Sequence, residues 1–173
     1  MDLKNHIQEV KDFPKKGIIF RDISPLLSNP QAMNEMIEEM AKLASNFQFD
    51  SILAIESRGF IIGAPLAYRL KKPLVLARKF GKLPPPVVSQ EYGLEYGNDQ
   101  LQIKENILPQ NSRILIVDDV LATGGTIIAC QKLLKKIDCH SVGAIVLIEI
   151  KGLNGQENLQ KNNLKCCELL KII

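Results

Sequence analysis

Ile114-Leu115-Ile116-Val117-Asp118-Asp119-Val120-Leu121-Ala122-Thr123-Gly124-Gly125-Thr126 is the stretch on which the fold turns. Its first four aliphatics run without polar alternation, which suits a strand covered on both faces. They end in two adjacent carboxylates and a turn of small residues, and a helical pattern follows with Ile127, Cys130, Leu134 and Ile137 on one face. In parallel sheets ligands bind at the carboxyl ends of strands. Here the turn Ala122 to Thr126 lets backbone approach a ligand closely, its amides at a helix start form an anion nest, and two hydroxyls add donors. A phosphate fits that nest. Asp118 and Asp119 would repel the anion, so sugar hydroxyls or a hard divalent cation suit them as partners. The alternative is a helix-capping pair ahead of a plain turn, which leaves paired carboxylates closing an apolar strand with no partner. The stretch is neither G-x-x-x-x-G-K-[ST] nor G-x-G-x-x-G.

Outward from this stretch, strand and helix patterns alternate. Ile52 to Ile55 and Leu74 to Ala77 read as strands with a helix from Phe60 to Leu70 between them, and a helix from Ile127 to Ile137 precedes a strand from Val142 to Ile148. This beat predicts an α/β fold, a twisted, mainly parallel sheet flanked by helices through right-handed crossovers. Asn29-Pro30 is a cap followed by proline at the first helical position. Met33, Met36, Ile37, Met40, Leu43 and Ala44 then predict an amphipathic helix of about four turns whose methionines pack in the core.

The other strand ends carry cations. After Ile55 comes Glu56-Ser57-Arg58-Gly59, where Arg58 is either a fork of donors for phosphate oxygens or a partner of Glu56. After Ala77 comes Arg78-Lys79-Phe80-Gly81-Lys82, three cations around a glycine. From Phe80 to Gly97 the composition shifts to Gly, Pro, Ser and Tyr, which predicts a long mobile loop able to fold as a hairpin and to serve as a lid. The segment from Asp12 to Pro25 has no clean helix or strand period, and Cys166 and Cys167 are placed on or near a final strand.

Composition bounds the function. The chain has 173 residues, 46% apolar and 24% charged, with 22 basic and 19 acidic side chains and a formal charge of +3. That balance excludes disorder and makes no case for nucleic acid. The longest aliphatic run, Ala144 to Ile148, falls far short of the roughly 18 residues of a membrane span. The start shows no basic region followed by an apolar one. The four cysteines contain no C-x-x-C pair, so reduced thiols and a cytoplasmic location are expected. A single domain is expected.

The hydrophobic run, acidic pair and T-G-G-T turn together resemble the phosphoribosyl-diphosphate signature of the type I phosphoribosyltransferases. Further motifs occur in family order: Phe13-Pro14-x-x-Gly17-x-x-Phe20-Arg21-Asp22-Ile23-Ser24-Pro25, Ser57-Arg58-Gly59-Phe60, Arg78-Lys79-x-Gly81-Lys82-Leu83-Pro84 and Leu94-Glu95-Tyr96-Gly97. With them the chain is similar, from about Val10 to Leu170, to the adenine-using branch of that family. The resemblance implies the family fold, with residues about 1–30 as a small base-binding hood and about 79–99 as a flexible catalytic loop. It implies transfer of the 5-phosphoribosyl group from 5-phosphoribosyl 1-diphosphate to adenine, giving AMP and diphosphate, with magnesium as cofactor and a homodimer as the assembly.

Residue by residue, the resemblance implies that Ala122, Thr123, Gly124, Gly125 and Thr126 hold the 5-phosphate and that Asp118 and Asp119 face the ribose hydroxyls. Arg58, Arg78, Lys79 and Lys82 would hold the diphosphate, the loop cations supplied in part across the dimer. Phe20 and Val120 would sandwich the purine, Ile19 would line its edge, and the Arg21 backbone would pair with the amino edge. Glu95 and Tyr96, with Arg58, are the implied catalytic residues, Glu95 managing the imidazole proton. Magnesium would be bound mainly through substrate, near Asp118 and Asp119. Three features depart from the pattern: Pro84-Pro85-Pro86 stiffens the loop, Phe80 replaces a basic or small residue, and Val120 stands where leucine is frequent. Two alternatives are a 6-oxopurine (xanthine or hypoxanthine) phosphoribosyltransferase and a non-catalytic purine-responsive regulator. Phe20-Arg21 and Leu94-Glu95-Tyr96 speak against the first, and the lack of a helix-turn-helix pattern against the second.

Overall fold

The computed structural model describes residues 2–93 and 98–172. The chain divides into two compact units, Met1–Glu39 and Met40–Ile173. In the first, a 3-10 turn at Leu3–His6 leads into β1 (Gln8–Lys11) and β2 (Ile19–Asp22), an antiparallel pair in which Glu9 faces Arg21 and Val10 faces Phe20. This pair was not predicted. Its burial pattern lacks strict alternation, so no period-two signal exists to find. A short helix, α1 (Ser24–Leu27), follows.

Helix α2 (Pro30–Ala44) carries the chain into the second unit. As predicted, Asn29 caps it, its side-chain oxygen accepting from the amides of Gln31 and Ala32 at 3.0 Å. Of the predicted stripe, Met36 and Met40 are wholly covered, Ile37 and Ala44 nearly so, and Met33 and Leu43 half-buried; Ala32, outside that stripe, is wholly covered too.

The second unit is built on a seven-stranded sheet. Its strands are β3 (Ser51–Ile55), β4 (Leu74–Lys79), β5 (Val87–Gly93), β6 (Asn98–Lys104), β7 (Arg113–Leu121), β8 (His140–Ile150) and β9 (Cys166–Ile172). They stand in the order β5-β6-β4-β3-β7-β8-β9. From β4 to β9 all neighbours are parallel, while β5 and β6 form an antiparallel hairpin attached to β4. Helix α3 (Arg58–Leu70) connects β3 to β4, and α4 (Gly125–Lys136) connects β7 to β8. The first crossover steps toward one edge and the second toward the other, so right-handed connections place α3 and α4 on opposite faces. Ile114, Ile116, Leu53 and Val146 pack with Cys130, Leu133 and Leu134 of α4. Gly63 of α3 lies so close to β3 that a β-carbon there would fall 2.5 Å from Ala54 Cβ. Each fully buried aliphatic contributes roughly 1.5–3 kcal/mol.

The hairpin that the Phe80 to Gly97 stretch was expected to allow is present: β5 lies within that range and pairs antiparallel with β6, whose Leu101 and Ile103 are wholly buried. Two features differ from the expectations. Strand β7 continues through Asp118 and Asp119 to Leu121, because β8 pairs with it that far. A short helix, α5 (Gly155–Lys161), was not foreseen. All four cysteines are free thiols. No helix among the described residues is long and apolar enough to cross a membrane.

Candidate active site

Between β3 and β7 the connections change direction, and open α/β sheets bind ligands at such a switch point. The carboxyl ends of both strands carry predicted site residues. Arg58 opens α3 just beyond β3, and its Nε lies 2.7 Å from Asp119 Oδ2 on β7. A β-carbon on Gly59 would fall 3.0 Å from Asp118 Oδ1 and 3.1 Å from the Val117 carbonyl, so glycine lets α3 start directly against the acidic pair.

The acidic pair is internally tied, Asp118 Oδ1 accepting from the Asp119 amide at 2.9 Å. Burial and the adjacent Asp119 charge push the Asp118 carboxyl well above its usual range. Burial raises Asp119 as well, against the opposing Arg58 guanidinium. Two carboxylates this close disfavour a second negative charge, so the pair suits donors such as sugar hydroxyls, or a cation.

Beyond β7 the turn is built as an anion cradle. Gly124 takes a left-handed conformation at φ 85° and caps α4, whose first turn points its free amides outward. Val120 to Ile127 line a small cavity of about 60 Å³ here. The unforeseen α5 braces the turn: Asn158 Nδ2 donates to the Thr123 carbonyl at 3.0 Å, and Gly155 has no room for a side chain beneath Ala122 and Leu121.

The second strand end brings the remaining cations. Arg78 Nε and Nη2 donate to Glu56 at 3.3 and 3.2 Å, and Nη1 donates to the Lys82 carbonyl at 3.2 Å. Glu56 also accepts from the Lys79 amide at 2.8 Å. Burial would raise Glu56, yet the Arg78 and Lys79 hydrogen bonds hold it below its ordinary value. Lys79 Nζ sits 3.1 Å from Asp99 on β6. Lys82 and Phe80 are exposed.

The predicted base-binding residues lie in two places. Ile19, Phe20 and Arg21 are on β2 of the first unit, where Phe13 meets Phe20 edge to face at 5.3 Å and buried Arg21 pairs with Glu9. Val120 is half-buried on β7, opposite Ile148. Glu95 and Tyr96 lie outside the described residues. Sequence reasoning missed Asp99 and Tyr92, which belong to no recognised motif; the period-two run Leu101, Ile103 was the available sign that this segment is a strand.

Comparison with known proteins follows the geometry. A family model described as a phosphoribosyl transferase domain matches residues 22–172. A relative from Polynucleobacter asymbioticus, named adenine phosphoribosyltransferase, is 51% identical over 164 residues, 95% of each chain. One of the same name from Malacoplasma penetrans is 52% identical over 92% of each. Among solved structures, adenine phosphoribosyltransferase from Thermoanaerobacter pseudethanolicus superposes with a TM-score of 0.95 at 45% identity, covering 99% of this chain and 98% of that one. The Giardia lamblia enzyme complexed with 9-deazaadenine gives 0.93 at 32% identity, covering 99% and 97%.

Proposed function

The chain belongs to the phosphoribosyl transferase domain family, and from that premise we propose that it transfers the 5-phosphoribosyl group of 5-phosphoribosyl 1-diphosphate to adenine, giving AMP and diphosphate. The observation that carries this reading is the meeting, at one switch point, of an anion cradle at Ala122–Thr126, the acidic pair Asp118 and Asp119, and Arg58. The cradle takes the 5-phosphate and the acidic pair the ribose hydroxyls. Arg58, Arg78, Lys79 and Lys82 take the diphosphate. Phe20 offers a ring face and Ile19 an apolar edge to a purine, the Arg21 main chain pairs with the amino edge, and Val120 offers a further apolar contact. A fixed main-chain acceptor separates adenine from a 6-oxopurine, because the wrong base leaves buried polar groups unpaired.

In the reaction the bond from the anomeric carbon to diphosphate breaks as a purine nitrogen bonds to that carbon. The cations stabilise the charge growing on the leaving group, and the cradle and acidic pair hold the sugar in line. Glu95, with Tyr96 beside it, takes the proton that the imidazole ring loses. The acidic pair fits a hard cation in part only. Asp119 already has Arg58, and no three metal-ligating side chains gather among the described residues. Asp118 and Asp119 would therefore help hold a magnesium ion bound chiefly through substrate oxygens, where it supplies further positive charge to the departing diphosphate.

A homodimer is part of the proposal, supported by the exposed Ile61 and Tyr68 on α3 and Phe80 beyond β4. A cytoplasmic location is supported by the four free thiols. The deciding experiment supplies phosphoribosyl diphosphate and magnesium with adenine, hypoxanthine or xanthine in turn. AMP from adenine and little nucleotide from the others is the expected result; no AMP from adenine overturns it.

A further inference from the structure

Three of the four cations assigned to the diphosphate hold a carboxylate of their own chain: Arg58 holds Asp119, Arg78 holds Glu56 and Lys79 holds Asp99. Two of these carboxylates have other work. Asp119 belongs to the acidic pair, and Glu56 also accepts the Lys79 amide. Asp99 is different. It lies on β6, in none of the recognised motifs, and its partner Lys79 is the most exposed of the three paired cations.

Asp99 is also pinned. Its Oδ1 accepts from the Gln100 amide at 2.8 Å, and its Oδ2 accepts from the Tyr92 hydroxyl at 3.1 Å as well as facing Lys79 Nζ. The Tyr92 phenol also lies near enough to Thr126, at the end of the phosphate cradle, to be influenced by its side chain. Burial opposes ionisation of Asp99, but these hydrogen bonds hold it below its ordinary value, so it is charged at neutral pH. The carboxylate is thus fixed to the scaffold on two sides while Lys79, a point charge on a flexible stem, can turn away from it.

We propose that Asp99 is a positioning residue that acts as an internal counter-ion to Lys79, competing with diphosphate for the ammonium group and thereby weakening diphosphate binding and easing its release. This rests on the assignment of Lys79 to the diphosphate made above. A fixed negative charge within a few ångströms of a bound polyanion opposes it in proportion to the anion's charge, and half-exposure of Lys79 screens the effect without abolishing it. When diphosphate leaves, Lys79 exchanges one ion pair for another and is not stranded. Tyr92 keeps Asp99 from following the ammonium toward the anion.

The test measures product inhibition by magnesium diphosphate and the Michaelis constant for phosphoribosyl diphosphate. Asp99→Asn and Asp99→Ser should each lower both constants about three- to tenfold, and Asp99→Glu should restore them toward the parent values. Lys79→Met should raise both, and in that background Asp99→Asn should have no further effect. Thermal unfolding of each variant confirms that it is folded, and either neutral replacement suffices if the other does not fold. Constants unchanged or raised in the neutral variants, with Lys79→Met still raising them, overturn the counter-ion alone. If Lys79→Met changes neither constant, the assignment of Lys79 falls and the inference with it.

Discussion

Arg58 Nε stands 2.7 Å from Asp119 Oδ2, joining the first residue of α3 to the acidic end of β7 across the switch point of the sheet. The pair orients the guanidinium, and it gives Asp119 a positive charge beside a crowded pair of carboxylates. Arg58→Met should therefore cost both stability and activity. Leaving Asp119 buried without its partner should lower unfolding free energy by about 1–3 kcal/mol, measured by urea denaturation. Loss of a donor to the leaving group should lower kcat/KM about 100-fold or more. Arg58→Lys keeps the charge and loses the fork, so it should fall between the two.

Gly63 faces Ala54 across the contact between α3 and β3, and a β-carbon on it would lie 2.5 Å from Ala54 Cβ. Neither backbone can yield easily, since β3 is paired on both sides by β4 and β7. Gly63→Ala should destabilise the protein by about 1–3 kcal/mol despite alanine's better helix propensity. Because α3 also presents Arg58, activity should fall at temperatures where the variant is still folded. Ala54→Gly in the same chain should restore part of the lost stability.

The elements readable in advance are those whose signal is local and continuous. Ile52 to Ile55 and Ile114 to Val117 are uninterrupted aliphatic runs because both faces of those strands are covered, and the structure buries every one of them. Reading stopped at Asp118 because carboxylates end such a pattern, yet pairing with β8 carries β7 on to Leu121. The hairpin was read as one form the loop could take, but glycine and proline obscured the bounds of its arms, and β6 was not read although Leu101 and Ile103 hold a period of two. Helix α5 is a single short element whose role, bracing the phosphate turn through Asn158, depends on a partner 35 residues away. The cradle was legible for a related reason: its glycines and hydroxyls are consecutive. What was not legible is the pairing of each cation, since Arg58 with Asp119 and Lys79 with Asp99 are contacts made only after the sheet has ordered its strands.

At the amino-terminal ends of β3 and β7, Arg113 donates through Nε and Nη2 to the two oxygens of Asp50 at 3.2 and 2.9 Å, and its amide donates at 2.8 Å. These bonds, the Arg113 side chain first, lower the Asp50 carboxyl from 3.8 to about 2. A carboxyl depressed in the folded state stabilises it above the unfolded value, and the contribution is lost as pH falls from near 4 toward 2. Urea denaturation of the parent and Asp50→Asn between pH 2 and pH 6 should show a difference that is constant above pH 5 and shrinks below pH 4. Activity at neutral pH should be unchanged, since the pair lies at the end of the sheet away from the site.

Gly124 and Thr126 separate the shape of the phosphate cradle from its chemistry. Gly124 sits at φ 85°, and a β-carbon there would meet the Gly155 carbonyl at 3.3 Å and Leu159 at 3.2 Å. Gly124→Ala should therefore cost about 1–2 kcal/mol from the left-handed backbone alone, and more from the press on α5. Its damage should appear in both stability and the Michaelis constant for phosphoribosyl diphosphate. Thr126 is half-exposed on the first turn of α4, and its hydroxyl is the donor proposed for the 5-phosphate. Thr126→Val keeps the shape and removes one donor to a charged group, worth about 1.5–3 kcal/mol. The Michaelis constant should rise about tenfold or more, with a melting temperature close to that of the parent. Equal loss of stability in the two variants would place the Thr126 hydroxyl in the scaffold and leave phosphate binding to the main-chain amides.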